Sequence, residues 1–352
     1  MNSILKWPGG KEKELPIIRN NMPDYTGRYI EPFIGGGAVF FDIDNPNACI
    51  NDKSVDLMNL YNCVKFKDKD FIKYIQLEYD EFRSIETLIN DNQKDIMMLY
   101  LSKISIKDFI SKYIDFFSSI ATDYNDIFIK ELNRNLSSKI KRSQKLENEK
   151  GSIPDSDRLD NIEAALKSSY YMYIRHLLNN SDTLSSGRKA AVFLFIREYC
   201  YSSMFRYNNR GEFNVPYGGI SYNRKDFQKK IDYILSDEMA KKLSNVQISN
   251  DDFESFINSL SLTNNDFVFL DPPYDSDFST YAQNEFNAND QSRLCECLKK
   301  TKAKIMLVIK NTDYIYNLYK NDFKISSFDK TYLVSFMNRN DKDVKHLVIT
   351  NY

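Results

Sequence analysis

Phe267-Val268-Phe269-Leu270-Asp271-Pro272-Pro273-Tyr274 is the stretch that decides the fold. Its first four residues are apolar and mostly aromatic or β-branched, the pattern of a buried strand. The strand has to stop at the two prolines, neither of which can donate a ladder hydrogen bond. A stiff loop therefore follows the C-terminal end of a buried strand, where open α/β sheets bind their ligands. On that loop a carboxylate, an acceptor-only prolyl carbonyl and an aromatic face come together. This set suits a planar base carrying an amino group. Asp271 and the Pro272 carbonyl can each accept one amino hydrogen, while Tyr274 stacks on the ring.

Working outward, two more strand ends carry polar residues. Tyr29-Ile30-Glu31-Pro32-Phe33-Ile34-Gly35-Gly36-Gly37 reads as a strand running into a glycine loop, with Ala38-Val39-Phe40-Phe41 opening a helix. The glycines permit positive φ and close approach of a ligand. The spacing is not GxGxxG and no P-loop lysine follows, so neither a dinucleotide nor a triphosphate is indicated. Ala48–Asn51 reads as the next strand. It ends at Asp52, placed to accept both hydroxyls of a ribose. Val246–Ser249 reads as a further strand, after which Asp252 and Phe253 are positioned to bracket an adenine. Ile305–Ile309 is another core strand, and Tyr332–Ser335 with His346–Thr350 is expected to form a terminal hairpin. Near the start, Lys6-Trp7-Pro8-Gly9-Gly10-Lys11 sets the single tryptophan among glycines and between two lysines.

Composition narrows the class. The 352 residues suffice for one large α/β domain with an inserted or appended module, and a hydrophobic share of 42% supports a substantial core. Five cysteines and two histidines, without paired metal-ligand spacing, give no disulfide framework and no expected metal. Met1–Gly10 lacks an apolar leader and the longest apolar runs are too short to span a bilayer, so a cytoplasmic, membrane-free protein is expected. Net charge is −1, yet between Arg188 and Lys230 there are nine Lys/Arg against three Asp/Glu. That local excess fits phosphate contacts as well as it fits a solvated basic surface.

The middle of the chain differs in kind. From about Phe66 to Gly187 it is helical by period and poor in Gly and Pro. Ile106, Phe109, Ile110, Tyr113, Phe116, Phe117 and Ile120 form one amphipathic stripe. Further helices are expected over Phe128–Ile140 and Leu159–Leu178, with Ser143–Arg158 as a polar loop. Lys139–Lys145 fits either a phosphate contact or a solvated helix face. Ala190–Ile196 is a buried element. Beyond it, Asn209-Arg210-Gly211 lies between aromatic-rich runs, the signature of a β-hairpin over about 204–216. The hairpin carries Arg206, Asn208, Arg210 and Asn214, side chains that can fork onto guanine or adenine edges. A surface hairpin held by aromatic pairs is the alternative.

Leu5–Lys11, Glu31–Phe41, Asp52–Val64, Tyr201–Gly218, Asp271–Tyr274 and His346–Tyr352 together resemble, in order, the Dam family of DNA adenine-N6 methyltransferases. The resemblance spans about two thirds of the chain. It implies a Rossmann-like α/β methyltransferase sheet, built from residues 1–65 and 235–352. An inserted helical target-recognition domain with a β-hairpin would occupy 66–234. It implies S-adenosyl-L-methionine as cofactor, double-stranded DNA as partner and no metal. A monomer in solution is expected. By the same resemblance Asp271, Pro272 and Tyr274 are catalytic. The cofactor contacts are Trp7, Lys11, Phe33, Gly35, Gly37, Asp52, Asp252 and Asp271. Lys6, Tyr201, Met204, Arg206, Asn208 and Asn214 are the DNA contacts. Where the family often has Asn-Gly after the intercalating aromatic, this chain has Ser202-Ser203. The helical region is longer than in compact members. Rivals are the same chemistry on RNA or cytosine, against which Asp271 and the hairpin argue, and an inert DNA-binding regulator, against which Asp52 and Asp271–Tyr274 argue.

Overall fold

The computed structural model describes residues 1–273, 286–331 and 343–352, except for the side chains of residues 330, 331, 343 and 344. It divides into two compact units, one of Met1–Lys65 with Asp237–Tyr352 and one of Phe66–Ser236.

The first unit is built on one sheet. Its strands are β1 (Tyr29–Glu31), β2 (Ala48–Asn51), β3 (Gln247–Ser249), β4 (Phe267–Leu270), β5 (Lys304–Lys310), β6 (Lys324–Thr331) and β7 (Asp343–Thr350). They form a seven-stranded sheet in the order β3-β2-β1-β4-β5-β7-β6. The pairs β2/β3, β1/β2, β1/β4 and β4/β5 are parallel, while β7 runs antiparallel between β5 and β6. Strand order reverses direction between β1 and β4, so the loops after these strands flank the sheet's switch point. The inner parallel strands β1, β2 and β4 are buried at every position, as strands covered on both faces are, while the edge strand β3 is partly exposed. Arg28 and Asp266 tie the entries of β1 and β4 together, Asp266 accepting from the Arg28 backbone at 2.8 Å and from its guanidinium at 3.0 Å. Against the effect of burial, these bonds and those from Thr263 hold Asp266 at a pKa of about 2.

One correction concerns this unit. The expected terminal hairpin has β6 (Lys324–Thr331) as the partner of β7, a strand the sequence pattern does not announce. Tyr332–Ser335 lies outside the described residues.

The second unit is helical. Its long members are Lys69–Asp91, Asn125–Lys150, Asp155–Asn179 and Ser186–Tyr199. Ala190–Tyr199 is buried on every side, because its helix packs against both Lys69–Asp91 and Asp155–Asn179. Phe82, Tyr170, Phe195, Tyr199 and Phe227 interlock as its aromatic core. The stripe from Ile106 to Ile120 is two short helices, Ile106–Lys112 and Ile114–Ser119, broken at Tyr113. The expected polar loop over Ser143–Arg158 is shortened to residues 151–154. The helix Asn125–Lys150 continues until Gly151 adopts φ 99°, and the next begins after Pro154. Gln144, Lys145, Leu146, Glu147, Glu149 and Lys150 are good helix formers, and Glu147 pairs with Arg158 at 2.5 Å across the short turn.

In place of a regular hairpin ladder, residues 200–217 show two isolated antiparallel bridges, Cys200 with Tyr217 and Tyr207 with Phe213. The turn is organised by Asn208, whose Oδ1 accepts from Arg210 N at 2.9 Å and Glu212 N at 3.0 Å.

Candidate active site

The site in the first unit is assembled from the C-terminal ends of β1, β2, β3 and β4. After β1 the chain turns through Gly35 at φ 49° and Gly37 at φ 80°. A Cβ on Gly35 would stand 2.7 Å from Trp7 Cδ1, so glycine is what allows the indole to lie on the loop. Gly35 N donates to Asp52 Oδ2 at 3.0 Å and Ser54 N donates to Asp52 Oδ1 at 2.9 Å. Burial pushes the Asp52 carboxyl above its ordinary value, and these backbone N–H groups work against that rise. A carboxylate has about four acceptor positions, so lone pairs remain for a ligand hydroxyl.

Asn51, which sequence reasoning passed over, locks three strand ends together. Its Nδ2 donates to the Pro32 carbonyl at 3.1 Å and the Asp251 carbonyl at 3.0 Å. Its Oδ1 accepts from Asp251 N at 2.8 Å, and its own carbonyl accepts from Ile34 N at 2.9 Å.

After β4, Asp271 is ion-paired with Lys11, whose side chain is 2% exposed. Lys11 also donates to the Gly9 carbonyl at 2.9 Å. The buried Gln291 side chain donates to the Pro273 carbonyl at 3.1 Å, fixing the loop from the helix Ala288–Lys300. Beneath lies Glu31, buried and accepting the Tyr29 hydroxyl at 2.6 Å. Burial drives Glu31 well above the usual carboxylate range, Tyr29 pulls it back and the nearby Asp271 charge adds to the rise.

The ring of Phe33 packs against Phe253 at 5.5 Å and Phe286 at 5.6 Å between centroids. Asp252 caps the helix Phe253–Ser259 by accepting from Glu254 N at 3.1 Å. It is also paired with Arg293 at 2.7 Å, whose guanidinium lies 4.9 Å from the Phe253 centroid. Trp7, Lys11, Phe33, Gly35, Gly37, Asp52, Asp252, Asp271 and Pro272 are thus all carried by the sheet unit. Asn51, Gln291 and Arg293 are structural partners not read from the sequence, since no local pattern marks a buried amide or a hub arginine. Lys6 is exposed in the same unit, and Tyr274 lies outside the described residues.

In the second unit Tyr201 is 48% exposed. Arg206 donates from Nε to Asn214 Oδ1 at 2.7 Å and from a terminal nitrogen to the Asn214 carbonyl at 3.0 Å. Asn208 Nδ2 donates to Glu212 at 2.7 Å, and Met204 is half-buried. Among the described residues no cluster of His, Cys, Asp and Glu is arranged to hold a metal, and no helix is long and apolar enough to cross a membrane. All five cysteines are buried free thiols.

A parallel sheet extended by an antiparallel strand between β5 and β6, with its polar residues at the strand tips, defines an α/β fold of the methyltransferase kind. The family model of the D12 class N6 adenine-specific DNA methyltransferases matches residues 7–166 and 119–334. The chain belongs to this family of enzymes. The Type II methyltransferase M.MjaIII of Methanocaldococcus jannaschii is 28% identical over 367 residues, covering 99% of this chain and 98% of that protein. The Type II methyltransferase M1.LlaDCHI of Lactococcus lactis subsp. cremoris is 26% identical over 362 residues, covering 100% and 96%. A DNA adenine methylase of Serratia marcescens is 24% identical over 318 residues, covering 88% and 83%.

Proposed function

We propose that this chain methylates the N6 amino group of an adenine flipped out of duplex DNA, with S-adenosyl-L-methionine as donor. It would act at a specific sequence, within a restriction-modification system or as an orphan or phage modification enzyme. The observation that carries the reading is the Lys11–Asp271 ion pair at the end of β4, beside Pro272 and Pro273, at the sheet's switch point.

The donor's groups have matching partners. Asp52 offers lone pairs for the ribose hydroxyls, the Phe33–Phe253–Phe286 cluster and Asp252 suit an adenine, and the Gly35 turn under Trp7 leaves no room for side chains. S-Adenosyl-L-methionine, when bound, supplies an electrophilic methyl group on a good leaving group. The chain's own residues do the rest. An adenine amino group is a poor nucleophile because its lone pair is delocalised into the ring. Asp271 and the Pro272 carbonyl accept its two hydrogens, which favours a pyramidal nitrogen with the lone pair directed outward. Tyr274 holds the ring plane by stacking. Gln291 and Lys11 hold the acceptors still, so that positioning and fixed charge carry most of the rate enhancement. On the DNA side, Lys6 and Arg206 read base edges, and Tyr201 and Met204 fill the stack.

The test is expression in a methylation-free bacterial host followed by direct sequencing for N6-methyladenine. Methylated adenines at one recurring sequence are expected. Unmodified adenine together with methylated cytosine, or no modification at all, overturns the reading.

A further inference from the structure

Arg197 is 2% exposed, at the end of the helix Ser186–Tyr199. Withdrawing a guanidinium from water is costly unless it is well hydrogen-bonded. Here its terminal nitrogens donate to the Met204 carbonyl at 2.6 Å and the Ser203 carbonyl at 2.8 Å, with a longer contact to Cys200 Sγ at 3.5 Å. The guanidinium carbon lies 3.7 Å from the Phe205 ring centroid.

The turn so held is strained. Ser202 sits at φ 51°, ψ 24°, and Ser203 also has φ 51°. The left-handed region disfavours any residue with a Cβ, and neither serine is glycine or asparagine. Such strain persists only where the surroundings over-determine it. The other restraints are local or single: Tyr201 N donates to the Pro216 carbonyl at 2.8 Å, Met204 N to the Tyr201 carbonyl at 3.1 Å, Ser203 N to the Cys200 carbonyl at 3.2 Å and Ser202 N to the Tyr222 hydroxyl at 3.2 Å. What the turn presents is a Tyr201 side chain 48% exposed, which gains little for the fold.

We infer that Arg197 is a positioning residue that holds the strained Ser202–Ser203 turn so that Tyr201 and Met204 are presented to DNA. The inference rests on the proposed DNA role of Tyr201. Arg197 does not touch the substrate. It pre-organises the turn, so the free enzyme has no ordering cost left to meet when DNA binds.

The test uses the full-length protein and a duplex carrying the mapped site, with 2-aminopurine at the target adenine to report unstacking. Arg197→Met is expected to lower kcat/KM for DNA by about tenfold or more and to reduce the fluorescence rise, with KM for S-adenosyl-L-methionine unchanged. Adding Ser202→Gly and Ser203→Gly to that variant removes the left-handed penalty and is expected to recover most of the loss. Normal DNA kinetics in Arg197→Met, or a folded Arg197→Met that the glycines do not rescue, overturns the inference. Where Arg197→Met fails to fold, Arg197→Lys takes its place, and unrescued unfolding of both also overturns it. Tyr201→Ala separates the two levels. A normal Tyr201→Ala defeats the DNA role of the turn and the inference with it. A defective Tyr201→Ala beside a normal Arg197→Met removes the positioning role alone.

Discussion

The Lys11 ammonium, almost wholly withdrawn from solvent, is ion-paired to the Asp271 carboxylate at the tip of β4. Removing one partner of a buried pair leaves an uncompensated charge, which costs about 3–5 kcal/mol, whereas replacing both by apolar groups is often near neutral. Asp271→Ala is therefore expected to lower both activity and thermal stability. The double variant Lys11→Met/Asp271→Ala should regain stability and remain inactive. Calorimetry and methylation assays on the three variants check this. A double variant no more stable than Asp271→Ala contradicts the pairing.

Asp52→Ala should raise the Kd for S-adenosyl-L-methionine with little change in DNA affinity. Charged hydrogen bonds contribute about 1.5–3 kcal/mol each, so a loss of at least about tenfold is expected. Burial raises the Asp52 pKa above its ordinary value, and the ribose-binding form is the ionised one. In the folded protein the carboxyl therefore takes up its proton at a higher pH than when unfolded. Cofactor affinity should fall as pH drops through that raised value, and Asp52→Asn should flatten the profile. An unchanged profile in Asp52→Asn rejects the assignment.

Tyr274 is assigned a stacking role, in which the ring matters and the hydroxyl does not. Tyr274→Phe should keep most activity, and Tyr274→Ala should lose at least about tenfold, since base–aromatic stacking contributes about 1–3 kcal/mol. Equal losses in the two variants, measured as kcat, exclude stacking.

Recognition is expected to divide between Lys6, reading a guanine 5′ to the methylated adenine, and Arg206, reading a base pair on its 3′ side. The Arg206 fork is held by Asn214 through Nε and one terminal nitrogen. Arg206→Ala should cost about 1–3 kcal/mol and relax one position of the site. A phosphate contact behaves differently, weakening all sequences alike and reducing the salt slope. Methylome maps of Lys6→Ala and Arg206→Ala distinguish the two.

The parts legible in the sequence are those whose burial leaves a local trace. Phe267–Leu270 and Ala48–Asn51 are apolar runs because parallel strands are covered on both faces. Asp52 and Asp271 stand out because they stop such runs. The β6 strand, Lys-Ile-Ser-Ser-Phe-Asp-Lys-Thr over 324–331, is an edge strand with little apolar pattern, so nothing local marks it. The helix through residues 143–150 has a single apolar residue, Leu146, so no apolar stripe marks it. Asn51 and Gln291 carry no local signal for a different reason, and Arg197, which the sequence groups with a basic surface, is buried. Each is a buried polar side chain bonded chiefly to main-chain atoms, a relation that residue identity does not encode.

The central claim is methyl transfer to adenine N6 by the Asp271 loop. Its most direct measurement is incorporation of label from methyl-tritiated S-adenosyl-L-methionine into duplex DNA, followed by nucleoside analysis, for the native chain and Asp271→Ala. The account predicts label in N6-methyladenine with the native chain and its near-complete loss in Asp271→Ala. Label in cytosine, or undiminished label in N6-methyladenine with Asp271→Ala, would contradict it.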